Sequence, residues 1–238
     1  MFLGSEILGM VILIVDIVIL IRRLIFIRMK IFYLLSALVV SVICSFAHAQ
    51  NDAFGALDDQ LKRYESLSGQ FQQTLVDHQG LLIQESSGEF MLKRPGYFRW
   101  DTRDPFPQLL ISNLKTIWLY DPDLEQVTVR SYQNMLDQTP SLLLGGKADA
   151  IAEKYQVVFS EQSSEQSLHF ILTPKFDDST FTQLQLIFHE GLLAVMILRD
   201  SLDQTTTFRF SELTRDPPID SDVFEFTPPE GVDVLVDE

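Results

Sequence analysis

The chain has 238 residues, with 33 acidic against 18 basic side chains and a formal net charge of −15 at pH 7. That balance repels nucleic acid and anionic bilayers. A single cysteine excludes both a disulfide framework and a cysteine-rich metal centre.

The two ends of the chain differ. Ile7 to Ile21 is apolar except for Asp16, and Arg22-Arg23 interrupts it. Met29-Lys30 then leads into the apolar run Ile31 to Cys44, which closes on Ala47-His48-Ala49. A charged start, an apolar stretch of this length and an A-x-A site make residues 29–49 a secretory signal peptide, with the mature chain starting at Gln50. Residues 1–28 are read as an upstream start assigned too early. The other reading is a membrane segment, which Asp16 at its centre makes costly by about 2.5–3.5 kcal/mol. Cys44 follows Ile43, where a lipoprotein signal wants a small residue, so lipidation is not expected. The leader holds four of the 18 basic and two of the 33 acidic residues, leaving 14 against 31 and a net charge of −17 on residues 50–238. That length suffices for one domain with a sizeable core.

Within 50–238, Asp52 to Leu67 is predicted as an amphipathic helix, because Leu57, Leu61, Tyr64 and Leu67 recur at helical spacing; Gly69 would end it. From Phe71 onward the period is two. Phe71, Gln73 and Leu75 alternate, Leu81 to Gln84 resumes, and Gly88 to Asp104 carries the most unusual pattern. There Phe90, Leu92 and Arg94 point to one side and Glu89, Met91 and Lys93 to the other. Pro95-Gly96 breaks the run, and Phe98 and Trp100 then alternate with Tyr97 and Arg99. A guanidinium on an apolar face keeps its charge and needs acceptors, a carboxylate or backbone carbonyls. The alternative is that the strand ends at Lys93 and Arg94 curls out to water.

Further strands are predicted at Gln108 to Ser112, Thr116 to Tyr120 and Gln126 to Tyr132. Asn134 to Lys154 interrupts them: Pro140 punctuates it, Leu142, Leu143 and Leu144 form an apolar turn, Gly145-Gly146 supplies a hinge, and Ala148 to Lys154 is a brief helix. These leucines suit either a mobile flap or an ordinary crossover that plugs the core. Five more strands follow, Gln156 to Ser160, Leu168 to Thr173, Thr182 to Phe188, Leu192 to Arg199 and Thr205 to Glu212, and then a helical turn at Asp220 to Val223. The fold class is mainly β: ten or so antiparallel strands in a single, strongly curved sheet, whose apolar concave face the short helices cap.

Catalytic signatures are missing. His78, His169 and His189 lie far apart, no H-E-x-x-H or G-x-S-x-G is present, and Gly145-Gly146-Lys147 is followed by Ala148 where a phosphate loop needs Ser or Thr. Asp121 and Asp123 are expected as turn formers. No metal or cofactor is expected, and the aromatic surplus, including 18 phenylalanines, favours an apolar binding cavity over a reactive site.

Several segments in sequence, Leu92-Lys93-Arg94-Pro95, Phe98-Arg99-Trp100, Ile111 to Pro122, Gln138-Thr139-Pro140 with Leu142 to Leu144, Leu172 to Lys175 and Phe226 to Val232, together resemble the outer-membrane lipoprotein carrier family, LolA. That resemblance implies an unclosed β-barrel covered by a lid of short α-helices, and a monomeric periplasmic chaperone without enzymatic activity. It implies acylated lipoproteins as cargo, an inner-membrane lipoprotein-releasing ABC transporter as source and the outer-membrane receptor LolB as acceptor. Arg94 matches the arginine that bonds lid carbonyls, the lid being Pro140 to Gly146. Phe98 matches an aromatic at the cavity edge, with Phe90, Leu92 and Trp100 lining or supporting the apolar face. Gly145-Gly146 departs from the family pattern and is expected to loosen the lid. A lipid-sensing domain on the same scaffold and a secreted enzyme with scattered carboxylates are the other readings.

Overall fold

The computed structural model describes residues 53–132, 144–145, 148–176 and 179–237. The leader, residues 1–49, and the lid residues Pro140, Leu142 and Leu143 lie outside the described residues.

The described residues begin with helix α1 (residues 53–61), which is followed by β1 (Ser66–Val76). The helix is shorter than its periodicity suggested. Leu67 fits the helical stripe by spacing, but it pairs with Leu92 across β1 and β2 (Leu82–Lys93). Gly69 likewise lies within β1, beside an irregularity in its pairing with β11, rather than capping a helix.

Strands β3 (Tyr97–Asp104), β4 (Gln108–Asn113), β5 (Thr116–Asp121) and β6 (Gln126–Ser131) continue as an antiparallel meander. A second meander runs through β7 (Tyr155–Phe159), β8 (Ser167–Pro174), β9 (Phe181–His189), β10 (Leu192–Asp200) and β11 (Thr205–Arg215). β1 pairs with β11 and joins the two halves. The resulting order is β12-β6-β5-β4-β3-β2-β1-β11-β10-β9-β8-β7, with β12 and β7 as the outer strands among the described residues. The sheet is therefore open. The last strand, β12 (Asp233–Asp237), was not expected, and it pairs parallel to β6.

One hydrophobic cluster contains side chains from both wings, Leu110 and Ile117 on β4 and β5 and Val157 and Phe170 on β7 and β8. Residues so far apart in strand order share one core only if the sheet curls around it. Leu57 and Leu61 of α1 plug the concave face, each about 1% exposed. Between β6 and β7, Leu144 and Ile151 of α2 (Ala148–Lys154) are buried in the concave core.

The convex face has a smaller core of its own. Phe224, on the 3-10 turn Ser221–Phe224, is fully buried, as are Ile111 and Val127. Tyr97 packs on Phe224 at 5.5 Å between centroids, and Tyr120 on Phe226 at 5.4 Å. Arg99 donates to the Val223 carbonyl at 3.3 Å, and Asn113 Nδ2 donates to the Glu225 carboxylate at 2.9 Å. The polar side of β3, Tyr97 and Arg99, is thus used to seat the C-terminal segment.

Gly88 marks a close approach of strands. A Cβ built there falls on the Asp101 carbonyl oxygen and meets Phe71 Cζ at 2.8 Å. Backbone cannot yield as a flexible side-chain tip does. Gly88→Ala is expected to destabilise the fold by about 1–3 kcal/mol, the usual range for overpacking. A urea midpoint equal to that of the parent would show that β2 and β3 separate freely at this position.

Candidate functional site

Strand β2 ends at Lys93, yet the next side chain does not turn to water. Arg94 Nη2 donates to the Leu144 carbonyl at 2.7 Å, and the guanidinium carbon lies 5.4 Å from the centre of the Tyr64 ring. The boundary expected on the solvent reading is correct, but the side chain lies on the inner side. Pro95-Gly96 makes this possible by reversing the chain: Arg94 N–H donates to Glu65 O at 2.8 Å, and Gly96 N–H donates to Gly145 O at 2.7 Å. Gly96 takes φ +80°, and a Cβ there would meet Leu114 at 2.5 Å and the Tyr132 hydroxyl at 3.0 Å, so the position demands glycine. Buried Ser112 donates to the Gly96 carbonyl at 3.1 Å and fixes the turn from β4.

Among the described residues, Leu144 and Gly145 are thereby tied to one turn, Leu144 through the Arg94 side chain and Gly145 through the Gly96 backbone. Burial pulls Arg94 below its ordinary value; Tyr64, Asp58 and Tyr132 oppose that shift, and the group stays charged at neutral pH. Burial pushes the Tyr64 phenol up, with nearby Arg94 opposing, and Tyr132 moves up for the same reason. Both phenols are neutral beside the cation. Among the described residues the cation rests on the Leu144 carbonyl and the Tyr64 ring face, and the Asp58 carboxylate favours its charged form.

Behind this latch the concave face is aromatic. Trp100 stacks on Phe71 with centroids 3.9 Å apart and on Phe98 at 5.8 Å. Phe90 lies at 5.8 Å, and Phe208 meets the indole edge-on at 5.4 Å. Phe90, Leu92, Phe98 and Trp100 all face inward, because Phe90 pairs with Trp100 and Leu92 with Phe98 across β2 and β3. Of the four lid residues singled out from sequence, Leu144 alone is among the described residues. It is buried, and its carbonyl rather than its side chain meets Arg94. Three participants went unnoticed in the sequence. Tyr64 has the spacing of a helical stripe, Tyr132 ends a predicted strand, and Phe71 is one beat of an alternation, so residue pattern marks none of them out.

An open sheet with an aromatic inner face, covered by segments held through carbonyl contacts, defines a binding fold of the carrier class. Residues 62–227 match the family described as outer membrane lipoprotein carrier protein LolA. The chain is 42% identical over 207 residues to the outer-membrane lipoprotein carrier protein of Azotobacter vinelandii, covering 87% of this chain and 99% of that protein. It is 39% identical over 207 residues to the protein of the same name from Hahella chejuensis, covering 87% and 98%. Among solved structures it resembles an uncharacterized conserved protein from Thermus thermophilus, with a TM-score of 0.50 and 9% identity over 75% of this chain and 96% of that one, a likeness of fold alone. The chain belongs to the outer membrane lipoprotein carrier protein family, LolA. That is a family of carriers, not of enzymes.

Proposed function

We propose that the chain is a periplasmic chaperone that takes acylated lipoproteins from an inner-membrane lipoprotein-releasing ABC transporter to an outer-membrane receptor of the LolB kind. The mature chain starts at Gln50, the leader 29–49 having been removed. The observation that carries the reading is the Arg94 latch over a buried aromatic face. An acyl chain in water is costly, at about 0.8 kcal/mol per methylene, so one long chain represents roughly 10 kcal/mol gross. A carrier has to shelter that surface and still give it up.

In this mechanism the empty carrier is closed, with Leu144 bonded to Arg94 and Gly145 to Gly96. Acyl chains displace the lid segment from the concave face and break those contacts. The loaded state is therefore held below the affinity that the apolar face alone would give, and closure of the emptied carrier returns the difference when cargo is handed on. Phe90, Leu92, Phe98 and Trp100 contact the acyl chains, and Pro140 to Leu144 move. No covalent step or cofactor enters.

The test uses residues 50–238 added to spheroplasts that hold a newly made outer-membrane lipoprotein. The expected result is a soluble one-to-one complex with the acylated protein and none with an unacylated version. Carrier recovered from periplasm should begin at Gln50. Absence of a complex with the exporter present would overturn the carrier reading in favour of a lipid-sensing domain.

A further inference from the structure

Among the described residues, large apolar side chains are exposed at eleven positions, and their placement is uneven. The turn after β2 and those joining β4 to β5 and β9 to β10 lie at the same end as Arg94, and there only Leu114 is exposed. The opposite end carries the β1–β2 tip with Leu81, Leu82 and Ile83, the β3–β4 turn with Phe106, and the β5–β6 turn with Leu124. It also carries Phe176 after β8 and Leu202 between β10 and β11. Antiparallel pairing fixes this: Val76 meets both Leu82 and Thr205, and Asp200 meets Phe181, so these turns share one rim. Successive tips are two strands, about 10 Å, apart, and the five span an arc of about 40 Å. Leu81, Phe106, Leu124, Phe176 and Leu202, one on each turn, are all more than 60% exposed. Single exposed leucines need no explanation, but one apolar side chain or more on each of five neighbouring turns does.

The same rim is acidic, with Asp77, Asp104, Asp121, Asp123, Asp200 and Asp203 in its turns. Asp77, Asp121 and Asp200 accept N–H bonds within their own turns, which explains the residue type and leaves the charge in place. Among the described residues the cations near these turns are fewer and engaged: Arg103 pairs with Glu89, Arg199 with the rim's own Asp203, and Lys175, beside Phe176, bonds the Ala152 carbonyl, so the carboxylates still outnumber them. Just behind the tips lies a cleft of about 390 Å³ lined by Gln73, Thr74, Glu85, Ser86, Asp104 and Pro105, open to a cationic side chain.

We propose that this rim, opposite the Arg94 latch, is a docking surface for a protein whose own face is basic and apolar, with one of its lysines or arginines entering the cleft between Glu85 and Asp104. The charge decides the class of partner. Apolar teeth alone would suit a bilayer, but a ring of carboxylates is repelled by anionic lipid and attracted by a basic protein surface. The inference rests on the carrier reading only in where the partner is sought, on membranes the carrier visits.

The test measures binding of labelled residues 50–238 to inner-membrane vesicles bearing the exporter, with the periplasmic face outward. Binding should be saturable, lost when the vesicles are treated with trypsin, and weakened by added salt. The exposed-site variant Leu81→Ser/Phe106→Ser/Leu202→Ser should bind at least tenfold more weakly, and Glu85→Gln a few-fold more weakly with a shallower salt dependence. Gln162→Ala, on the Arg94 end, should bind as the parent does. Circular dichroism and retained cargo in a preformed complex control for folding. Equal binding by the triple variant overturns the proposal, and so does equal binding to protein-free vesicles of the same lipids, which would make the rim a lipid-contact surface. A soluble cargo complex formed normally alongside either outcome leaves the carrier reading standing.

Discussion

Leucine in place of Arg94 is expected to leave uptake of cargo intact and to slow its release about tenfold. The wild-type side chain stabilises the empty state through a charged hydrogen bond to the Leu144 carbonyl and the face of Tyr64. Such a bond contributes about 1.5–3 kcal/mol. Burying the guanidinium offsets part of that, so the net latch lies near the lower end of the range, roughly a factor of ten. Leucine removes both terms and leaves an apolar side chain against the lid, so the empty state loses its advantage over the loaded one. The measurement is the rate at which a preformed complex passes cargo to the receptor. A second readout separates the latch from general damage: the Gly96 amide, bonded to Gly145 O, should exchange its hydrogen about tenfold faster in the empty variant while core strand amides keep their protection. Release as fast as the parent's would show that desolvation cancels the bond and that Arg94 holds nothing closed.

Trp100→Ala is expected to cost about 3–5 kcal/mol of stability, the range for removing a large buried aromatic. The indole touches Phe71, Phe90, Phe98, Phe208 and Phe210, contributed by four strands, so no single neighbour can move in to fill its place. Trp118 remains to report unfolding by fluorescence in urea. The outcome also bears on the carrier's inner face. A loss of this size means the face is packed when empty and has to be prised open by acyl chains. A loss below about 1 kcal/mol would mean the ring borders space already available to them.

The hairpins were legible because alternation and turn chemistry agree locally, as in Asn113-Leu114-Lys115 and Glu190-Gly191. The errors lie where distant partners override local pattern. Leu67 has the spacing of a helical stripe, but its neighbour Leu92 is supplied by β2. β12 is only five residues long and pairs parallel to β6, so no hairpin turn announces it. Arg94 stands out as an anomaly from its pattern alone, whereas its acceptor, a carbonyl of the lid segment, is pointed to only through the family resemblance, because a backbone carbonyl leaves no trace in residue type. Tyr64 was hidden for another reason: the same spacing that suits a helix face also brings its ring beneath the guanidinium.

The seam between β1 and β11 has a consequence for how the molecule assembles. Every other antiparallel pair is of strands consecutive in the chain, whereas Glu65 and Asp216, bonded at the foot of the seam, are 151 residues apart. Closing a loop of that length costs entropy before any pairing rewards it. The two meanders are therefore expected to form first and the seam last, so that in refolding the amides of the β1–β11 pairing gain protection after those within each meander. Until it closes, β1 and β11, 11 residues each, present long unpaired edges of the kind that recruit other chains. Aggregation risk is concentrated in that interval, so substitutions along the seam, at Phe71 or Phe210, change the yield of folded protein as well as its stability.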